Sequence, residues 1–284
     1  MRSLVAVAVA LCALTLAACA TGARDANQQR IGGGRRVVTL VPSFADDVYA
    51  IGAGSQLVGV SAFTDAPQTR RLPRVADASS VDTERIVALR PTVVIAIPSQ
   101  SRLTEPLRRA SIRVVLLPDD TYQSIFDNLE ILGVLTNRER QAKAIVARLQ
   151  RQTAALVAQT KVYARRPSVF VALGSGPIWT AGAASYIATL ITLAGGTNAA
   201  RDLLTAYGQY SPEALVRHQP DLIVADRAIR LDSVLDREPW RSLQAVRLGH
   251  VYAVDPDLIE RPAPNYNEGL RWLIDRIRPL AGTP

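Results

Sequence analysis

Few residues in this 284-residue chain have the chemistry to make or break covalent bonds. Histidine occurs twice, at His218 and His250, and cysteine twice, at Cys12 and Cys19. A serine triad would have to draw its base from those two histidines. The nearest approach to a nucleophile elbow, Leu173-Gly174-Ser175-Gly176-Pro177, has the wrong residue order, and neither a P-loop nor H-E-x-x-H occurs. A bare zinc or manganese site needs several His and carboxylate ligands, which two histidines do not supply. Paired carboxylates stay open, because any two acids can meet in a cleft. His218 falls at the end of an expected helix, where a cation is favoured, and His250 just before an expected strand. No residue is assigned to catalysis and none to a metal.

Charge narrows the classes further. The chain carries a net +8, nearly all from arginine, with Lys143 and Lys161 the only lysines. The cations are scattered among acids, without the aromatic interleaving of a nucleic-acid surface, so no nucleic-acid partner is expected. A composition bias, or attraction to an anionic ligand or a membrane surface, accounts for the charge.

The elements that position these residues begin after an export segment. Residues 1–18 have a basic start, an apolar run and small residues at the end, which is the pattern of a secretory signal. Leu16-Ala17-Ala18-Cys19 resembles the bacterial lipobox, so Cys19 is the expected lipidation site and the protein is expected outside the cytoplasm, in the periplasm or at the cell surface, anchored to a membrane. The exported part then has no thiol pair for a disulfide and depends on its core. Residues 19–36 read as a flexible tether.

From Val37 strands and helices alternate, which indicates parallel α/β sheets. The strands expected are Val37–Val41, Leu57–Val60, Val93–Ala96, Val114–Leu117, Val169–Leu173, Leu222–Ala225 and Val251–Val254. Between the two sets lies a stretch, about 136–166, without Gly or Pro and with Ala142, Ile145, Leu149 and Leu156 at helical spacing. It reads as one helix roughly 40 Å long, capped by Asn137 and stopped by Pro167. The division is an N-terminal lobe over 37–135, the helix over 136–166 and a C-terminal lobe over 167–284.

An internal repeat supports two related halves. Val81–Ala96 aligns without a gap on Tyr210–Ala225, each copy with a capping Asp82 or Ser211, an acid (Glu84 or Glu213), a Pro turn and a buried strand. Taken alone, each acid is adequately explained as a favourable charge near a helix N-terminus.

Gly59–Ala96, with Gly176–Asp202, the second repeat and Val251–Pro264, resembles the helical-backbone (class III) substrate-binding proteins of ABC importers, the group that binds cobalamin, iron siderophores and haem. The cobalamin-binding members are the most similar. The resemblance implies two Rossmann-like lobes with mainly parallel sheets, joined by a single long helix, with the ligand cleft between them and little hinge motion. It implies a monomer that presents a bulky ligand, a corrinoid or alternatively an iron siderophore or haem, to permease subunits and their ATPase, with no cofactor of its own. Glu84 and Glu213 take the positions that dock on the permease. Phe63, Trp179 and Tyr207 match aromatic contacts of the corrin, and Asp257 and Arg261 match its polar contacts; Asp65 stands with Phe63 beyond a strand end facing the cleft. Ala78 and Ile97 replace tryptophans of the cobalamin pattern. No axial tyrosine occupies the usual haem positions, which leaves Tyr207 or Tyr210 for iron. A lipoprotein that keeps the fold as a scaffold and has lost the ligand is the remaining alternative.

Overall fold

The structure, a computed structural model, describes residues 34–282. The signal segment, Cys19 and most of the tether lie outside the described residues. In chain order the elements are β1 (Val37–Thr39), α1 (Pro42–Ala50), β2 (Leu57–Ser61), β3 (Arg74–Ala76), α2 (Thr83–Ala88), β4 (Val93–Ala96), α3 (Glu105–Arg109), β5 (Val114–Leu116), α4 (Tyr122–Thr136) and α5 (Glu139–Ala158). They continue with β6 (Ser168–Ser175), β7 (Ile178–Ala181), α6 (Tyr186–Leu193), β8 (Thr197–Asn198), β9 (Tyr207–Gln209), α7 (Pro212–His218), β10 (Leu222–Asp226), α8 (Gln244–Arg247), β11 (Val251–Val254), α9 (Pro256–Ile259) and α10 (Tyr266–Ala281).

The first sheet has the order β3-β2-β1-β4-β5 and is parallel throughout. In the second, β6, β10 and β11 run parallel and repeat the arrangement of β1, β4 and β5, while β7 and β9 add antiparallel strands beside β6. The repeat seen in the sequence is therefore one helix–turn–strand unit per lobe. Asp82 accepts from Arg85 N and Ser211 from Ala214 N, capping α2 and α7. Each unit then turns through a non-glycine residue in the left-handed region, Arg90 (φ 47°) and Gln219 (φ 41°), at matching positions.

The helix expected over 136–166 is shorter. Asn137 takes a left-handed conformation (φ 56°, ψ 47°) and closes α4 rather than starting the next helix, so α5 runs from Glu139 to Ala158, about 30 Å. Asn tolerates that conformation better than most residues, which lets the chain turn there without Gly or Pro. The backbones approach closely at the turn: a Cβ on Gly133 would lie 2.7 Å from that of Ala142.

α5 carries the chain between the sheets, and its buried face joins their cores. One apolar cluster holds Val37 and Phe44 of the first lobe, Leu129 of α4, Leu149 of α5, and Val171 and Leu270 of the second lobe. A polar knot is set in it: the hydroxyls of Tyr122 and Tyr266 lie 3.1 Å apart, and Thr153 contacts both. These groups stand on α4, α10 and α5, so the spine between the lobes has a fixed register.

Candidate functional site

The carboxyl ends of β1, β5 and β11 converge between the lobes, where ligands of open α/β sheets bind. Residues just beyond those ends, among them Ser43, Asp119, Asp257, Glu260 and Arg261, line a cavity of about 280 Å³. A second cavity of about 590 Å³, lined by Asp46, Tyr49 and Asp65 among others, shares Asp257 and Arg261 with it.

Arg261 is the centre of this region. It follows α9, whose first turn is held by the Asp255 carboxylate accepting from Asp257 N at 3.1 Å. Gly269 lets α10 pack directly on the Leu258 carbonyl, where any Cβ would collide. The guanidinium, 17% exposed, places Nη2 2.6 Å from Asp257 Oδ1, and Nη1 3.2 Å from Asp46 Oδ2 and 3.6 Å from Asp65 Oδ1. Asp46 and Asp65 belong to the first lobe, so one arginine ties the two lobes at the mouth of the cleft. Burial raises the carboxyls of Asp46 and Asp257 above their ordinary range despite the arginine beside them.

Of the expected binding residues, the structure thus brings Asp65, Asp257 and Arg261 into one cluster. Trp179 and Tyr207 share one face of the β7–β9 pair, because Trp179 pairs with Gln209 and Tyr207 with Ala181 in antiparallel register. Both are partly open, Trp179 by 41% and Tyr207 by 36%. Burial, then the charges of Asp119, Glu260 and Asp120, push the Tyr207 phenol above its ordinary range. Phe63 stands alone just past β2, 58% exposed, its backbone N–H donating to Ser61 Oγ.

Sequence reasoning missed Asp46, Asp119 and Glu260. Asp119 lies beyond the end of β5, so the strand-end rule could have found it. Its carboxyl is raised to about 6, by burial and then by Asp120. Glu260 is raised to about 7, by burial, Asp226 and Asp257, and its buried Oε1 has no partner. Gln100, just beyond the end of β4, caps its own turn by accepting from Ile97 N.

Tyr210 is not free to bind iron. It is 8% exposed, donates to Asp202 at 2.7 Å and lies 2.8 Å from His218 Nδ1. That nitrogen is also 2.9 Å from the Ala199 carbonyl, so His218 belongs to a structural network. His250 Nδ1 lies 3.2 Å from the Asp221 carbonyl at the start of β11.

Glu84 and Glu213 are both exposed in the first turns of α2 and α7. Ser211 donates to Glu213 at 2.6 Å and holds its carboxyl below the usual range. Beside Glu213 lies a shallow groove lined by Pro212, Val216, Arg217 and Pro239.

The sequence profile of the family described as periplasmic binding protein matches residues 37–258. A vitamin B12-binding protein of Pectobacterium atrosepticum is 31% identical over 258 residues, covering 88% of this chain and 91% of that one. An uncharacterized ABC transporter substrate-binding lipoprotein of Bacillus subtilis is 28% identical over 254 residues, covering 86% and 80%. Among solved structures, the periplasmic vitamin B12 binding protein of Vibrio cholerae superposes with a TM-score of 0.75 at 25% identity, covering 86% of this chain and 96% of that one.

Proposed function

This chain belongs to the periplasmic binding protein family, and from that premise we propose that it captures a corrinoid between its lobes and hands it to a membrane ABC permease. The observation that carries the reading is the cleft itself: a cavity at the carboxyl ends of β1, β5 and β11 with Arg261 across its mouth, in a protein that also presents Trp179 and Tyr207 on one face of the β7–β9 pair. A large flat ligand needs aromatic faces for area and a few polar groups for orientation. Phe63, Asp65, Trp179, Tyr207, Asp257 and Arg261 are the binding residues in this reading. Relatives named for vitamin B12 support the ligand class. Haem fits less well, because the Tyr210 hydroxyl is bonded to Asp202 and buried.

Binding alone completes the task, and no covalent step is assigned. Glu84 and Glu213, one per lobe and both exposed, are the docking contacts for the permease, and the lipid on Cys19 holds the protein at its membrane.

The test is tryptophan fluorescence titration of the exported protein with cyanocobalamin, cobinamide, haemin and a ferric siderophore, repeated with Trp179→Ala and Arg261→Ala. Saturable corrinoid binding, weakened by both substitutions, is the expected result. Binding of haemin or siderophore without a corrinoid response replaces the ligand and keeps the transport role. Silence from all four moves the weight to a scaffold that has lost its ligand.

A further inference from the structure

The cleft has a charge of its own, opposite to that of the chain. The whole protein carries a net +8. The titratable lining of the interlobe cavity is Asp119, Asp257, Glu260 and Arg261, three acids against one base. The base is already committed: Arg261 lies within 3.6 Å of carboxylate oxygens of Asp257, Asp46 and Asp65. Among the described residues, Asp119 and Glu260 have no cation within salt-bridge distance, and Glu260 Oε1 is buried without any hydrogen-bond partner. Asp47, only 1% exposed, adds a further buried carboxylate with an unpartnered Oδ1, and Asp119 is among the charges that act on it. An unpaired acceptor at the wall of a cavity is a cost to the empty protein that a donor on the ligand removes.

We propose that the cavity between the lobes selects for ligand charge: Asp119 and Glu260 accept hydrogen bonds from a neutral or cationic ligand edged with amide or ammonium N–H groups and repel one edged with carboxylates. This rests on the reading of the cleft as the ligand site and adds the class of ligand edge that it takes. Carboxylate oxygens accept only, so when ionised neither acid offers anything to a propionate or a catecholate. Two like charges brought together in a partly desolvated cleft repel more strongly than in water. Amide edges of a corrinoid meet the requirement, and haem propionates do not. Phe63, Trp179 and Tyr207 supply area to either kind of ring, so the acids rather than the aromatics set the discrimination.

The experiment is a titration of the exported protein at pH 7.5 with a charge series inside one ligand class: diaquacobinamide (cationic), cyanocobalamin (neutral) and cobyrinic acid, the polyanionic corrinoid whose side-chain amides are carboxylates. The first two are expected to bind at least about tenfold more tightly than the third, a gap that narrows as salt rises. In the double variant Asp119→Asn/Glu260→Gln the gap is expected to shrink to within about threefold. Equal affinity of the unaltered protein for all three overturns the proposal, and so does an undiminished gap in the double variant. If no corrinoid binds, the corrinoid reading fails on its own, and the same ranking is read on ferric siderophores. Cationic ferrioxamine B must then bind more tightly than trianionic ferric enterobactin, and the reverse order or silence from every probe overturns the charge selection too.

Discussion

Arg261 and Asp46 stand 215 positions apart in the chain, yet Nη1 of one lies 3.2 Å from Oδ2 of the other, in a contact that crosses from the second lobe to the first. Both side chains are mostly shielded, at 17% and 24% exposure. Removing one partner of such a pair leaves the other short of compensation. Because Asp257 and Asp65 still face the guanidinium, the loss is partial. Asp46→Ala is expected to lower stability by about 1–2 kcal/mol in urea unfolding. A change within error means that the contact forms no net bond between the lobes.

Glu260 gives the protein a pH dependence with a definite sign. Its carboxyl is raised from the ordinary range to about 7, so the folded state holds this proton more tightly than the unfolded chain does. Its contribution is favourable at low pH and is lost as pH rises from the ordinary carboxylate range through about 7. Glu260→Gln should match the parent near pH 4 and exceed it by about 2 kcal/mol above pH 7.5 in the absence of ligand. Melting curves across that range decide it. A constant offset at every pH contradicts the burial argument.

The two left-handed turns should respond differently to glycine. At Arg90, glycine removes the Cβ penalty and nothing in the turn depends on the side chain, so Arg90→Gly is expected to raise stability by about 0.5–1 kcal/mol. Gln219 donates to the Val216 carbonyl and accepts from Gln244 N, so Gln219→Gly should lower it despite the same backbone relief. Thermal melts of the two variants test the contrast.

Gly269→Ala strikes the packing behind the cleft. Its Cβ would collide with the Leu258 carbonyl, which is backbone and moves only with α9. An expected loss of about 1–3 kcal/mol should come with weakened ligand binding, since α9 leads into Arg261. Loss of stability with unchanged affinity would show that the placement of Arg261 does not depend on this approach.

Docking separates from capture. Glu84→Lys with Glu213→Lys changes two exposed side chains on different lobes, neither of them lining the cleft. Uptake through the cognate transporter is expected to fall at least about tenfold while ligand affinity stays within about twofold. Intact uptake in the double variant removes these acids from the docking surface.

Much of the scaffold was legible because its signals are local. The strands Val93–Ala96 and Val251–Val254 are observed with the expected limits, and the repeat resolves into one capped helix and one buried strand per lobe. β3, β7 and β9 were not legible: RVA, IWTA and YGQ carry no unbroken apolar run of β-branched residues such as the VVI of β4. The break at Asn137 was hidden because the turn uses neither Gly nor Pro. In the cleft, the strand-end rule led to Asp65 and the family resemblance to Asp257 and Arg261, but the unpaired state of Glu260 depends on which acids the fold crowds around it. Spacing in the sequence carries no record of that. Tyr210 shows the same limit in reverse, a residue of suitable type whose hydroxyl the fold turns towards Asp202.

An apolar cluster runs from Val37 through Leu149 to Val171, so prising the lobes apart about α5 would expose buried side chains and cost free energy. A molecule held this way would keep nearly the same outline whether carrying or empty. A transporter would then meet visitors that it could not tell apart from a distance, and each empty one that landed would occupy the doorway of a full one. The rate of import would follow the proportion of carriers that are loaded rather than their number, so that making more of this protein without more ligand would slow the traffic.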